Sequence, residues 1–112
     1  MTPEALHMSN TCRWVTPIDV VESARQVMGG IDLDPASEFA ANQVVKATYY
    51  YNESQDGLSP KNSWFGNVWC NPPGDKRGYL PKAFWKRTIE EWERGNVQQA
   101  MFLLFSLNQL QT

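Results

Sequence analysis

Val68-Trp69-Cys70-Asn71-Pro72-Pro73-Gly74 decides how the chain is organised. An apolar run stops abruptly at an amide side chain followed by two prolines. Proline cannot donate to a sheet ladder, so a strand that reaches Asn71 must end there. The strand gives way to a short, stiff loop at its carboxyl end, presenting one amide and the carbonyls beside it. In open α/β sheets that edge is where ligands bind. The same residues also read as a plain strand-terminating turn, and the rest of the chain has to decide between the two.

Upstream of this loop the pattern alternates between helix and strand. Residues 1–12 are polar and aperiodic and read as a loose N-terminal arm. Thr16-Pro17, with Asp19 at capping-box spacing, opens a helix in which Thr16 is the cap and Pro17 the first helical residue. Ile18, Val21, Ala24, Val27 and Met28 recur at helical spacing, and Gly29-Gly30 stops the helix. Ile31-Asp32-Leu33-Asp34 reads as a short strand, with Asp34 capping a second helix that starts at Pro35 and ends near Val45 or Lys46. Thr48-Tyr49-Tyr50-Tyr51 is a β-rich run, and residues 52–63 form a polar loop.

Downstream, a loop over residues 74–80 leads into a helix from Pro81 to Gly95, with Ala83, Phe84, Thr88, Ile89 and Trp92 on its apolar face. Residues 97–106 are dense in apolar side chains and read as a buried strand. The alternation predicts an α/β domain over residues 13–112 with a mostly parallel, Rossmann-like sheet and flanking helices. About four strands can be counted, where an open sheet usually has roughly five or six. The expectation is therefore an incomplete domain, truncated at its C-terminal side.

Composition narrows the function. With 112 residues, 42% of them hydrophobic and five of them Trp, the chain supports one core but not two domains. A net charge of −2 provides no broad cationic field, so any nucleic-acid contact must come from a local patch. Cys12 and Cys70 are far apart and have no ligand neighbours at metal spacing, which argues against a zinc site or a disulfide framework. His7, the only histidine, lies in the arm, so a histidine-based triad is not expected. The apolar run from Ala100 to Phe105 is too short to span a bilayer, and a cytoplasmic protein is expected.

The chemistry available to Asn71-Pro72-Pro73 comes from its functional groups. An aromatic exocyclic amine is a poor nucleophile because its lone pair is delocalised into the ring. Two acceptors aimed at its N–H bonds favour a pyramidal nitrogen and stabilise the positive charge that develops there. The Asn71 side-chain oxygen and the Pro72 carbonyl are such a pair, and Pro73 stiffens the loop that holds them. No strong base is needed if the leaving group departs from a sulfonium, because positioning supplies much of the rate.

Four short motifs come in order: Thr16-Pro17, Asp34-Pro35-Ala36, Asp56-Gly57-Leu58 and Asn71-Pro72-Pro73. With Trp14, Ile31-Asp32-Leu33, Ser37, Phe84-Trp85, Trp92, Gly95 and Phe105-Ser106-Leu107, they make the chain resemble the phage-type DNA N-6-adenine methyltransferases, a Dam-like family that uses S-adenosylmethionine. The resemblance implies a Rossmann-like methyltransferase that methylates the exocyclic amine of adenine in DNA. By the same resemblance, Thr16-Pro17 meets the methionine end of the cofactor, and Asp34, Pro35 and Ala36 line it. Asp56 accepts from its adenine amine, and Asn71, Pro72 and Pro73 form the catalytic motif.

Two departures stand out. The wider amino-methyltransferase class places an aromatic residue after the second proline to stack on the target base, and Gly74 occupies that position here. Tyr79, Phe84 or Trp85 would have to supply the ring. There is also no glycine-rich loop after Asp34, where Ser37-Glu38-Phe39 stands instead. Lys76, Arg77, Lys82, Lys86 and Arg87, interleaved with Tyr79, form the local basic patch for DNA, or else an ordinary solvated helix face. Two other functions remain open. One is methyl transfer to another planar amine or amide, such as cytosine or a protein glutamine. The other is an inactive remnant that binds a partner, or itself, through an exposed sheet edge.

Overall fold

The computed structural model describes residues 16–74 and 77–104. The sequence features that fall on residues 1–15, 75–76 and 105–112 lie outside the described residues. These are the arm with His7 and Cys12, Trp14, Lys76 and Phe105-Ser106-Leu107. Along the chain, helix α1 (Ile18–Met28) precedes strand β1 (Leu33–Asp34), helix α2 (Phe39–Val45) and strand β2 (Tyr49–Tyr50). Strand β3 (Gly66–Cys70), helix α3 (Tyr79–Glu93) and strand β4 (Val97–Phe102) complete it. The four strands form one parallel sheet in the order β2-β1-β3-β4. This is the expected α/β layer at the level of strand direction and helix placement.

Strand β3 is central and buried on both faces, as a near-continuous apolar run in a parallel sheet should be. Trp69 points into a cluster with Val21, Ala24 and Met28 of α1 and Val45 of α2. Val68 and Cys70 point the other way, into a cluster with Leu33, Trp64, Phe84 and Val97. Helices α1 and α2 therefore cover one face and α3 the other. The loop between β2 and β3 crosses on the α3 face, where Tyr51, Leu58 and Phe65 pack against the second cluster.

The chain order reverses between β1 and β3. From β1 the sheet grows outward to β2 on one side and through β3 to β4 on the other. That reversal is a topological switch point, where the loops leaving two neighbouring parallel strands diverge and open a crevice. Its two lips are the residues after Asp34 and after Cys70.

Several local expectations are corrected. Helix α1 begins at Ile18 with Pro17 at its cap, and no side chain caps it, so Thr16 is not the N-cap. Only Val21, Ala24 and Met28 of its apolar set are buried; Ile18 and Val27 are exposed. Helix α2 begins at Phe39 rather than Pro35. Asp34 instead accepts from the Ala36 N–H through Oδ1 (3.1 Å), and the Ser37 N–H is taken by the Tyr51 carbonyl (2.9 Å). These two bonds hold residues 35–37 in a turn tied to Tyr51, and the helix begins after it.

Helix α3 starts two residues before Pro81 and buries Pro81, Phe84, Thr88 and Glu91, leaving Ile89 and Trp92 exposed. Strand β4 is not buried over its described length: Val97 is covered, but residues 98–101 are exposed. Among the described residues it is the edge of the sheet, bonded on one side to β3.

Candidate functional site

The motifs expected from sequence to act together do meet at the switch point. A cleft of about 120 Å³ lies between Pro35, Ala36 and Ser37 after β1, Asn52, Glu53, Asp56 and Gly57 of the crossing loop, Pro73 after β3, and Leu80 and Phe84 of α3. Beside it, sharing Ala36 and Ser37, a smaller hollow is lined by Thr16, Asp34, Glu38, Ala41 and Asn71. Thr16, Asp34, Ala36, Asp56, Asn71 and Pro73 thus come from four separate stretches and converge on one crevice. Pro35 is buried in its wall, and Pro72 is buried next to Asn71 without lining either hollow.

Each functional side chain is placed by the backbone that carries it. Asn71 leaves the end of β3, and its Nδ2 donates to the Thr16 hydroxyl (3.5 Å) at the foot of α1. This bond ties the amide to the start of α1. Asn71 Oδ1 is shielded from solvent and has no hydrogen-bond partner among the described residues. A buried acceptor left unmade costs about 1–3 kcal/mol, so its retention calls for a reason. Thr16 is therefore close to Asn71 through its hydroxyl, a relation that the helix-cap expectation had hidden.

Asp56 sits on the rim in a left-handed turn, with φ 60°. Its Oδ1 accepts from the Leu58 N–H (3.1 Å). Gly57 comes next because nothing larger fits: a Cβ there would collide with the Pro35 carbonyl across the cleft. The Gly57 carbonyl in turn accepts from Trp64 Nε1 (2.8 Å). The Asp-Gly pair is thus a turn and a cleft wall at once.

Cys70, immediately before Asn71, is a free and fully buried thiol. Burial pushes its pKa well up, and the nearby Asp34 carboxylate adds to the effect, so it stays protonated and is no nucleophile. Among the described residues no group of three His, Cys, Asp or Glu side chains is placed to hold a metal ion. No helix among them is long and apolar enough to cross a membrane.

No family model matches the chain, and neither does any curated protein or any solved structure.

The basic patch separates into parts. Arg77 is exposed and stacks its guanidinium 5.8 Å from the centroid of the Tyr79 ring, itself 60% exposed. Lys86 is exposed and Lys82 half-buried on α3. Arg87 does not belong with them. Its Nε pairs with Glu91 (2.8 Å), its Nη1 donates to the Leu58 and Ser59 carbonyls (3.2 and 3.4 Å), and its Nη2 donates to the Asn62 carbonyl (2.8 Å). The guanidinium also lies over Trp64, 5.2 Å from the ring centroid. With all three of its nitrogens engaged inside the fold, Arg87 is withdrawn from the DNA-contact set.

Of the three aromatics considered in place of Gly74, only Phe84 lines the cleft, where it also stacks on Trp64. Trp85 packs edge-on against Phe102, among the residues of the β4 side.

Proposed function

We propose that the crevice binds S-adenosylmethionine and that the chain transfers its methyl group to the exocyclic amine of adenine in DNA. The observation that carries the proposal is the Asn71 Oδ1 acceptor, buried and unpartnered at the carboxyl end of β3 beside the switch point. The residues present suit the cofactor. The cleft is mostly apolar, walled by Pro35, Ala36, Pro73, Leu80 and Phe84, with the Asp56 carboxylate at its rim as an acceptor for an adenine amine. The uncapped first turn of α1, next to Thr16, is suited to a carboxylate.

When bound, S-adenosylmethionine supplies an electrophilic methyl carried on a sulfonium. The chain's own residues orient and polarise the amine. Asn71 Oδ1 accepts one N–H and the Pro72 carbonyl the other, so the lone pair turns toward the methyl carbon. Transfer would form the nitrogen–carbon bond as the carbon–sulfur bond breaks, and the amine's surplus proton would leave to water. Thr16 ties the Asn71 amide to the foot of α1 and so holds it beside the crevice. Arg77, Lys82 and Lys86 lie beyond the catalytic loop, where phosphate contact beside an extruded base would fall.

The test is incubation with labelled S-adenosylmethionine and unmethylated DNA, with a peptide substrate and cytosine-only DNA as parallel arms. Label on adenine that falls by about two to three orders of magnitude in Asn71→Ala is the expected result. Equal labelling by wild type and Asn71→Ala, or label confined to peptide or cytosine, overturns it.

A further inference from the structure

The wall of the cleft that carries Asp56 is a loop without a helix or strand of its own. Inside itself it is held by local bonds: the Asp56 N–H to the Asn52 carbonyl (3.0 Å), the Ser59 N–H to the Asp56 carbonyl (2.9 Å), and Asn62 Nδ2 to the Gln55 and Asp56 carbonyls (2.7 and 2.8 Å). These give the loop a shape; its near end is placed by the Trp64 Nε1 bond to the Gly57 carbonyl (2.8 Å) and by Leu58 packed against the second cluster. The far end is attached by Arg87, one turn of α3 beyond Phe84 on the opposite cleft wall. Its guanidinium collects the carbonyls of Leu58, Ser59 and Asn62 and is itself held by Glu91 and Trp64. Glu91 is fixed in turn by Asn96 Nδ2 (2.9 Å) and Arg94 (3.1 Å).

We infer that Arg87 is a positioning residue for the ligand cleft: it anchors the loop of residues 56–62 to α3 and so sets the affinity for the molecule held between them. The ligand is the one proposed above, and the inference depends on that proposal for the affinity part only. One helix then controls both walls, through Leu80 and Phe84 directly and through Arg87 at a distance. A planar fork is needed, because three carbonyls and a carboxylate lie around it in different directions. A lysine ammonium is a compact point charge and cannot serve them together while stacking on Trp64.

The test uses the whole chain as wild type, Arg87→Met and Arg87→Lys. Amide hydrogen exchange reads the loop, and calorimetric titration with S-adenosylmethionine reads the cleft. In Arg87→Lys the Ser59 and Asn62 amides are expected to exchange about tenfold faster, with Val68 and Trp69 of β3 unchanged, and Kd to rise about tenfold. Arg87→Met is expected to do at least as much, and Arg87→Lys keeps the test open if Arg87→Met does not fold. In turnover, the loss falls on KM for S-adenosylmethionine and leaves kcat within about twofold, the reverse of Asn71→Ala. Wild-type protection of Ser59 and Asn62 in Arg87→Lys overturns the inference, as does an unchanged Kd with a loosened loop. Faster exchange in β3 in the same proportion also overturns it, since Arg87 would then be only a part of the core. A wild-type chain that does not bind S-adenosylmethionine overturns the ligand proposal instead, and the exchange measurement still decides the anchor.

Discussion

Asn71 and Thr16 are 55 positions apart in sequence and joined by one hydrogen bond. If that bond orients the catalytic amide, Thr16→Val lowers kcat about tenfold, the effect of losing roughly one hydrogen bond's worth of orientation. Thr16→Ser restores it, and the affinity for S-adenosylmethionine changes less than kcat does. Steady-state kinetics on the three proteins checks this. Gly57 makes a second residue-scale case. A Cβ there meets the Pro35 carbonyl, a backbone atom that cannot swing aside. Gly57→Ala should therefore cost about 1–3 kcal/mol in thermal unfolding and widen the cleft. The sequence showed Asp56-Gly57 as a turn and Asn71 as an exposed amide after a strand. It could not show why the glycine is needed, because the atom it avoids arrives from a different loop. Nor could it show that Asn71 Oδ1 is buried without a partner, which depends on how α1 meets the end of β3.

At the scale of elements, α3 departs furthest from its sequence pattern. Periodicity placed Ile89 and Trp92 on the apolar face, and the helix exposes both and buries Glu91 instead. Glu91 is buried because Arg87, Arg94 and Asn96 satisfy its carboxylate, and a period of 3.6 cannot distinguish a buried ion pair from an exposed one. Burial alone would raise its pKa, but the hydrogen bonds from Asn96 and Arg87 and the charges of Arg87 and Arg94 outweigh this and lower it below 4.5. A carboxyl that is more acidic folded than unfolded stabilises the fold above its unfolded pKa and loses that contribution as pH falls through the folded value. Stability should therefore decline as pH drops below about 4.5, and Glu91→Gln should flatten that part of the profile. At pH 7, Glu91→Ala should cost about 3 kcal/mol or more, since it strands Arg87 in a largely buried position. Urea unfolding across pH measures both. The start of α2 also lies four residues beyond its predicted place, after a turn in which Ala36 is bonded to the Asp34 side chain and Ser37 to the Tyr51 carbonyl.

Across the whole molecule, strand direction and the placement of helices on both faces were legible from the alternation of patterns, and so was the small number of strands. What the apolar run of β4 did not reveal is that its described residues form an edge. An apolar strand reads the same whether another strand covers it or not. Strand β4 exposes Met101 on the face of α1 and α2 and Ala100 on the face of α3, where α3 exposes Trp85, Ile89 and Trp92 around a groove of about 310 Å³. Residues 97–102 contain no charge and no proline, the two devices that usually blunt a sheet edge. The chain should therefore self-associate through this edge as its concentration rises. Met101→Lys, which places a charge in the exposed row without touching the crevice, should shift sedimentation toward the monomer and leave S-adenosylmethionine affinity unchanged. Glu90→Gln, on α3 and outside the apolar row, serves as the control and should leave the sedimentation profile as it is. If Met101→Lys sediments like wild type at every concentration, β4 is not the contact. If it loses the affinity for S-adenosylmethionine proposed for wild type, the edge and the crevice are coupled across β3, and the independence of these two parts of the sheet is wrong.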